Sequence, residues 1–318
     1  MPAGLVKDLA TRYDVLAMRI GAFEIHEPVP ELQEPHALVM IRPWVDVGSV
    51  GSLTLRQMER HFQGQQLGKL ARPGTFFDFT RYRPTVKIVS GKREMTYPNS
   101  FINYAQPADG PDLLFLHLLE PHAMAEDYVE SIVDLLKHFD AKVYCRIGAM
   151  YDSVPHTRPI VITGNPGEVE TRPGAGTPFI QQRQSQYEGP TTIMNKLSDE
   201  VTDMGLGMMT FMAHLPHYAQ LDEDFAGTSR MLEVLSAFYD VPASLMPTHR
   251  GKLQYAEIDA AVERKPEHKA LVSRLEAYYD TTYPKATPET SSTRAAEEDP
   301  PVLSPEIERF LKDLDLGS

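Results

Sequence analysis

A chain of 318 residues with 42% hydrophobic residues can bury a full core, while its formal net charge of −13 repels phosphate backbones and anionic lipid, which excludes nucleic acid and membrane surfaces as expected partners. Cys145 is the single cysteine, so no intrachain disulfide and no thiolate metal cluster can form; within Val143-Tyr144-Cys145-Arg146-Ile147 it reads as a small buried hydrophobe rather than a nucleophile. Met1 to Ala10 has no apolar core of signal-peptide length, and stretches such as Leu113 to Leu119 are too short to span a bilayer, so the expectation is a cytoplasmic protein.

Ala37 to Ile41 is a β-rich run, and Gly48, Gly51, Leu55, Met58 and Phe62 follow at helical spacing, with Asp46 placed to cap that helix and the two glycines letting it approach the sheet. Thr85 to Val89 and Arg93 to Tyr97, joined at Ser90-Gly91-Lys92, predict an antiparallel hairpin. Leu113 to Leu118 is an apolar run broken only by His117, as a strand covered on both faces would be, and a helix marked by Val129, Ile132, Val133, Leu136 and Phe139 follows. Val143 to Ala149 and Ile160 to Gly164 are further strands. Residues 165 to 187 carry no apolar period and read as a lid, binding loop or oligomer contact. Pro190 opens a helix through Ile193, Leu197, Val201 and Met204; Met208 to Ala213 is a strand; Met231, Leu235 and Phe238 mark the next helix.

That alternation predicts an α/β fold with a mainly parallel, doubly wound sheet over residues 1–247. Residues 248–283 read as a helical hairpin appendage, with Tyr255, Ile258 and Val262 on one helix and Leu271, Leu275 and Tyr278 on a second that Pro266 begins. Residues 284–304 are too poor in apolar side chains to fold and read as a linker. Ile307, Phe310, Leu311 and Leu314 make 305–318 a short amphipathic helix that needs something to dock on.

Four turns follow apolar runs: 43–48, 119–122, 155–159 and 214–218. If the runs share a parallel sheet, the turns share the edge where open α/β sheets bind ligands. Trp44, Asp46, Gly48, Glu120, His156, Arg158, Glu188, Gly189, His214, His217 and Tyr218 are the candidate site residues. Each has a structural reading too. Asp46 can be a helix cap beside a buried Trp44, Glu120 can accept backbone donors, and Arg158 can pair with Glu120 or Glu188 instead of holding an anion. The N–H groups of Gly48 to Ser52 can bind phosphate, although no P-loop lysine is present. His214 and His217 could chelate zinc with His156 or His122, but no established ligand spacing supports it, so neither metal nor cofactor is expected.

Taken in order, PWVDVG at 43–48, LHLLEP at 116–121, HTRP at 156–159, YEGPT at 187–191 and HLPHY at 214–218 resemble the proteasome assembly chaperone family, second type, in its bacterial and archaeal branch. The resemblance covers residues 20 to 242. It implies a three-layer α/β/α fold related to nucleoside phosphorylase-like sheets and a homo-oligomer. Pro43, Thr192 and Met212 depart from the family's pattern. The chain ends Leu316-Gly317-Ser318, without the hydrophobic-tyrosine-any tripeptide of chaperones that dock on a proteasome.

Two functional readings remain. The first is a non-catalytic, oligomeric protein-binding or assembly protein, a dimer or trimer with a further protein partner unidentified. The second is an enzyme acting on a nucleoside-like or anionic small molecule, a hydrolase or phosphorylase, with Glu120, His156 and His217 as proton carriers and Arg158 as anion clamp.

Overall fold

A computed structural model describes residues 17–176, 178, 180, 181 and 189–283. Glu188, the linker at 284–304 and the short helix expected at 305–318 lie outside the described residues. In chain order the strands are β1 (Ala17–Ile20), β2 (Phe23–His26), β3 (His36–Arg42), β4 (Gln65–Leu70), β5 (Thr85–Val89), β6 (Lys92–Thr96), β7 (Phe101–Ala105), β8 (Leu113–Leu119), β9 (Val143–Asp152), β10 (Ile162–Asn165) and β11 (Gly207–Pro216). The helices are α1 (Val50–His61), α2 (Ala125–His138), α3 (Ile193–Asp203), α4 (Phe225–Leu235), α5 (Thr248–Glu263) and α6 (Pro266–Thr282).

Nine strands form one sheet in the order β1-β2-β4-β7-β8-β3-β9-β11-β10. The four apolar runs expected to be parallel are so: β8, β3, β9 and β11 pair in parallel at the centre. Every residue of β8 is buried, His117 included, as a strand covered on both faces requires. Around this core the pairing is antiparallel, through β7, β4, β2 and β1 on one side and β10 on the other, so the sheet is mixed rather than mainly parallel. The short antiparallel strands left no apolar run in the sequence; β4, QQLGKL, alternates exposed and buried only in part and carries a register shift at Gln66/Gly68.

Alternate residues of β3 point to opposite faces. Ala37, Val39 and Ile41 join the core beneath α2 and α3, whereas Leu38 and Met40 join the one beneath α1 and α4. Helices therefore cover both faces and make three layers. Gly51 lets α1 sit tight on the sheet, since a Cβ there would lie 3.3 Å from the Met40 Cβ. A third, small cluster joins Val154 and Val161 to Tyr279 and Tyr283, which seats α6 on the loop after β9. Hairpin β5–β6 pairs antiparallel as expected, but forms a separate two-stranded sheet exposed along its whole length.

Candidate functional site

Because β3, β8, β9 and β11 run parallel, the segments leaving them at Arg42, Leu119, Asp152 and Pro216 lie on one edge of the sheet. The four turns are thus placed together. Their side chains, however, fall into separate groups.

After β3, Asp46 is buried and turned back onto the start of α1. Its Oδ1 accepts from the Gly51 amide at 2.7 Å and the Ser52 amide at 3.2 Å, and its Oδ2 accepts from Ser52 Oγ at 2.5 Å. Burial raises its pKa, an effect that these donors partly offset. The chain thus supplies its own anion, the Asp46 carboxylate, to the helix start that the sequence offers to a phosphate. Gly48 has φ +58°, and its carbonyl accepts from the Asp224 amide at 2.7 Å; it shapes the turn. Trp44 is not buried beside Asp46 but 44% exposed.

Beyond β8, Glu120 Oε1 accepts from the Ile193 amide at 2.9 Å and shares the capping of α3 with Thr192, whose side chain accepts from the Met194 amide. Burial pushes the Glu120 pKa up, and its Oε2 is buried without a partner among the described residues. β3 and β9 separate β8 from β11, which sets the Glu120 turn roughly 14 Å from that of His217 at about 4.8 Å per strand. The Glu120 side chain bonds to the start of α3, whereas His156 and His217 bond to Asp259 and to the Asp152 carbonyl.

His156, on the loop after β9, meets β11 and α5. Its backbone N–H donates to Tyr218 Oη at 2.8 Å, the Tyr218 hydroxyl lies 2.6 Å from Nδ1, and Nε2 lies 2.9 Å from Asp259 Oδ1. The Tyr218 oxygen accepts from the amide and gives its proton to Nδ1, which leaves the ring proton on Nε2 for Asp259. Burial, the largest cause, pushes the Tyr218 hydroxyl up to about 12. Arg158 turns outward: Nε and Nη2 donate to the two oxygens of Asp280, each at 2.8 Å, and Nη1 donates to Glu276 Oε1 at 2.9 Å. Its partners among the described residues belong to α6 and not to the Glu120 turn, so it latches the helical hairpin; the pairing expected with Glu188 lies outside the described residues. Gly189, the last of the predicted ligand residues, is exposed ahead of α3.

On β11, His214 bridges Asp152 and Thr163, with Nδ1 at 2.7 Å from Asp152 Oδ2 and Nε2 at 2.7 Å from Thr163 Oγ1. His217 donates from Nδ1 to the Asp152 carbonyl at 3.0 Å, and its Nε2 is buried without a partner among the described residues. His122 accepts the Asp78 amide on Nδ1, away from both. No group of three or more His, Cys, Asp or Glu side chains among the described residues could hold a metal ion.

What joins the groups is a set of residues that sequence reasoning missed. Asp224 caps α4 through Gly227 at 2.7 Å, accepts from Tyr255 of α5 at 3.0 Å, and donates its amide to Gly48. Tyr255 stands edge-on to His156. Asp224 ahead of Phe225-Ala226-Gly227-Thr228 was legible as an N-cap. Asp152, Thr163 and Asp259 carried no spacing signal, because their partners lie 62, 51 and 103 residues away.

A family model described as the PAC2 family matches residues 40–258. No curated protein matches the sequence. Among solved structures, a Corynebacterium glutamicum protein of unknown function is similar over 84% of this chain and 99% of its own, with TM-score 0.72 and 20% identity. A Mycobacterium tuberculosis proteasome-assembly chaperone homologue, Rv2125, matches over 75% and 99% at TM-score 0.61 and 20% identity. Pyrococcus furiosus PbaB, an archaeal proteasome activator, matches over 76% and 98% at TM-score 0.59 and 13% identity. At these identities the likeness is one of fold. No helix of the described residues is long and apolar enough to cross a membrane.

Proposed function

This chain belongs to the PAC2 family, and from that premise we propose that it is a non-catalytic, homo-oligomeric protein-binding subunit with an assembly-chaperone-like role. The observation that carries this reading is the way in which the edge's polar groups are used. Asp46, His156, Arg158 and His214 are bonded to other parts of the same chain, largely to α1, α5, α6 and neighbouring strands, rather than converging on a substrate-sized space. The names of the two proteasome-related structures support the same direction. Light scattering of the full chain at micromolar concentration is expected to give two or three times the single-chain mass, and affinity capture to retain a stoichiometric protein partner. A monomer that retains none overturns the reading.

One observation favours the second reading. Asp152, His214 and Thr163 form a continuous acid–imidazole–hydroxyl relay, an order shared with hydrolases in which the imidazole takes a proton from an attacking hydroxyl. Against it, the Gly164 amide next to Thr163 already donates to the Gln181 carbonyl at 3.3 Å and is not free to stabilise an oxyanion. A fluorophosphonate probe decides between the two. The assembly reading expects no covalent adduct; an adduct on Thr163 that Thr163→Ala abolishes would make the chain a hydrolase.

A further inference from the structure

Hairpin β5–β6 stands apart from the nine-stranded sheet, although a two-stranded hairpin alone in water is at best marginally stable. Its turn is well specified, with Ser90 at φ +50° and Gly91 at φ +77°, as a tight hairpin requires. Its two faces differ. Val86 lies opposite Met95 and Ile88 opposite Arg93, and the two-residue period puts Tyr97 on the same side. Val86, Ile88, Met95 and Tyr97 are 42%, 70%, 48% and 50% exposed, an apolar face that the described chain leaves largely open. Its base is held by Phe79, whose ring lies 5.3 Å from that of Tyr97.

Charge selects what covers this face. In a chain of net charge −13, residues 81–97 hold Arg81, Arg83, Lys87, Lys92 and Arg93 against the single carboxylate of Glu94. A second copy of the hairpin would bring two such cationic arms together, which disfavours pairing of like with like. The sequence holds an amphipathic segment of opposite sign. Ile307, Phe310, Leu311 and Leu314 recur at the spacing of one helical face, and residues 297–318 carry seven carboxylates against Arg309 and Lys312. A segment of that length does not hold a helix alone.

We propose that residues 305–318 dock on the apolar face of β5–β6 of the same chain, with Ile307, Phe310, Leu311 and Leu314 against Val86, Ile88, Met95 and Tyr97 and the surrounding carboxylates among the hairpin's cations. The described chain ends at Tyr283, packed on Val154 and Val161 beyond β9, and the hairpin leaves the 76–82 loop that touches the Glu120 turn; both lie at the same sheet edge. The stretch from 284 to 305 reaches about 70 Å when extended, at roughly 3.3 Å per residue, so the span is no obstacle. Tethering makes the contact intramolecular and favours the chain's own tail over a partner's at ordinary concentrations. The inference does not depend on the assembly role.

The full chain with Ile88→Cys and Phe310→Cys tests this directly, since Cys145 is buried with its thiol pKa pushed up and will not compete. Mild oxidation is expected to close an intrachain disulfide in a species of single-chain mass. Thr96→Cys, on the hairpin's polar face, should cross-link with Phe310→Cys about ten-fold less. In parallel, Phe310→Asp with Leu311→Asp is expected to speed hydrogen exchange of residues 85–97 about ten-fold without disturbing the nine-stranded sheet. Equal cross-linking of both pairs, cross-links only between chains, or unchanged exchange would each overturn the proposal.

Discussion

Asp46→Ala is expected to lower the unfolding free energy by about 3 kcal/mol, because it strands two amides and a hydroxyl, each stranded buried donor costing about 1–3 kcal/mol before the site relaxes. That corresponds to a fall in Tm of roughly 6–12 °C for a chain of this size. Asp46→Asn should stay within about 1 kcal/mol, since its carbonyl still accepts from Gly51 and Ser52 and asparagine is a good helix cap. Burial raises the Asp46 pKa in the folded state, so the unfolded chain ionises first as pH rises. The shift's contribution to stability is present below the ordinary carboxylate value and lost as pH rises through the folded pKa. The asparagine variant has no such loss and should gain on the natural chain over that window. Calorimetry from acid to neutral pH checks it; an alanine variant as stable as the asparagine one would mean that the helix start does not depend on a side-chain acceptor at this position.

Gly251→Leu is expected to be of similar size and to act on a different element. A Cβ at Gly251 would lie 2.7 Å from the Ala226 backbone nitrogen and 2.8 Å from its Cα, so α5 cannot keep its contact with α4 once that position carries a side chain. Overpacking of this kind costs about 3 kcal/mol, and the backbone atoms facing it cannot move aside as a side-chain tip would. Displacing α5 also breaks the Tyr255 bond to Asp224, and the Arg158 latch to Asp280 and Glu276 is too exposed to hold the hairpin by itself. Limited proteolysis between 248 and 283 should accelerate about ten-fold in the variant. Leu253→Ala, at a position 54% exposed two residues on, should change stability by no more than about 0.5 kcal/mol. Unchanged proteolysis of the Gly251 variant would show that the hairpin is not held by this close approach.

The sequence by itself determined the parallel centre of this protein, its helices and its family. Ala37 to Ile41 is wholly apolar, and Leu113 to Leu119, Val143 to Ala149 and Met208 to Ala213 are apolar but for His117, Arg146 and Thr210, because strands covered on both faces need such runs, and that requirement is local enough to read. The same holds for the 3.6-residue spacing of Val129, Ile132, Val133 and Leu136, for the Ser90-Gly91 turn, and for the ordered motifs of the four turns. Only the tertiary structure decided the antiparallel flank, whose short strands β1, β2, β4 and β7 owe their place to neighbours rather than to their own pattern. It also decided what each polar residue of the edge does. Arg158 could be read as a cation on a stiff turn, but whether it meets a ligand, Glu120 or Asp280 depends on where α6 packs, 122 residues further on. Glu120 and His217 share an edge, yet β3 and β9 stand between them, because strand order, unlike strand content, is set by long-range pairing that no local spacing records.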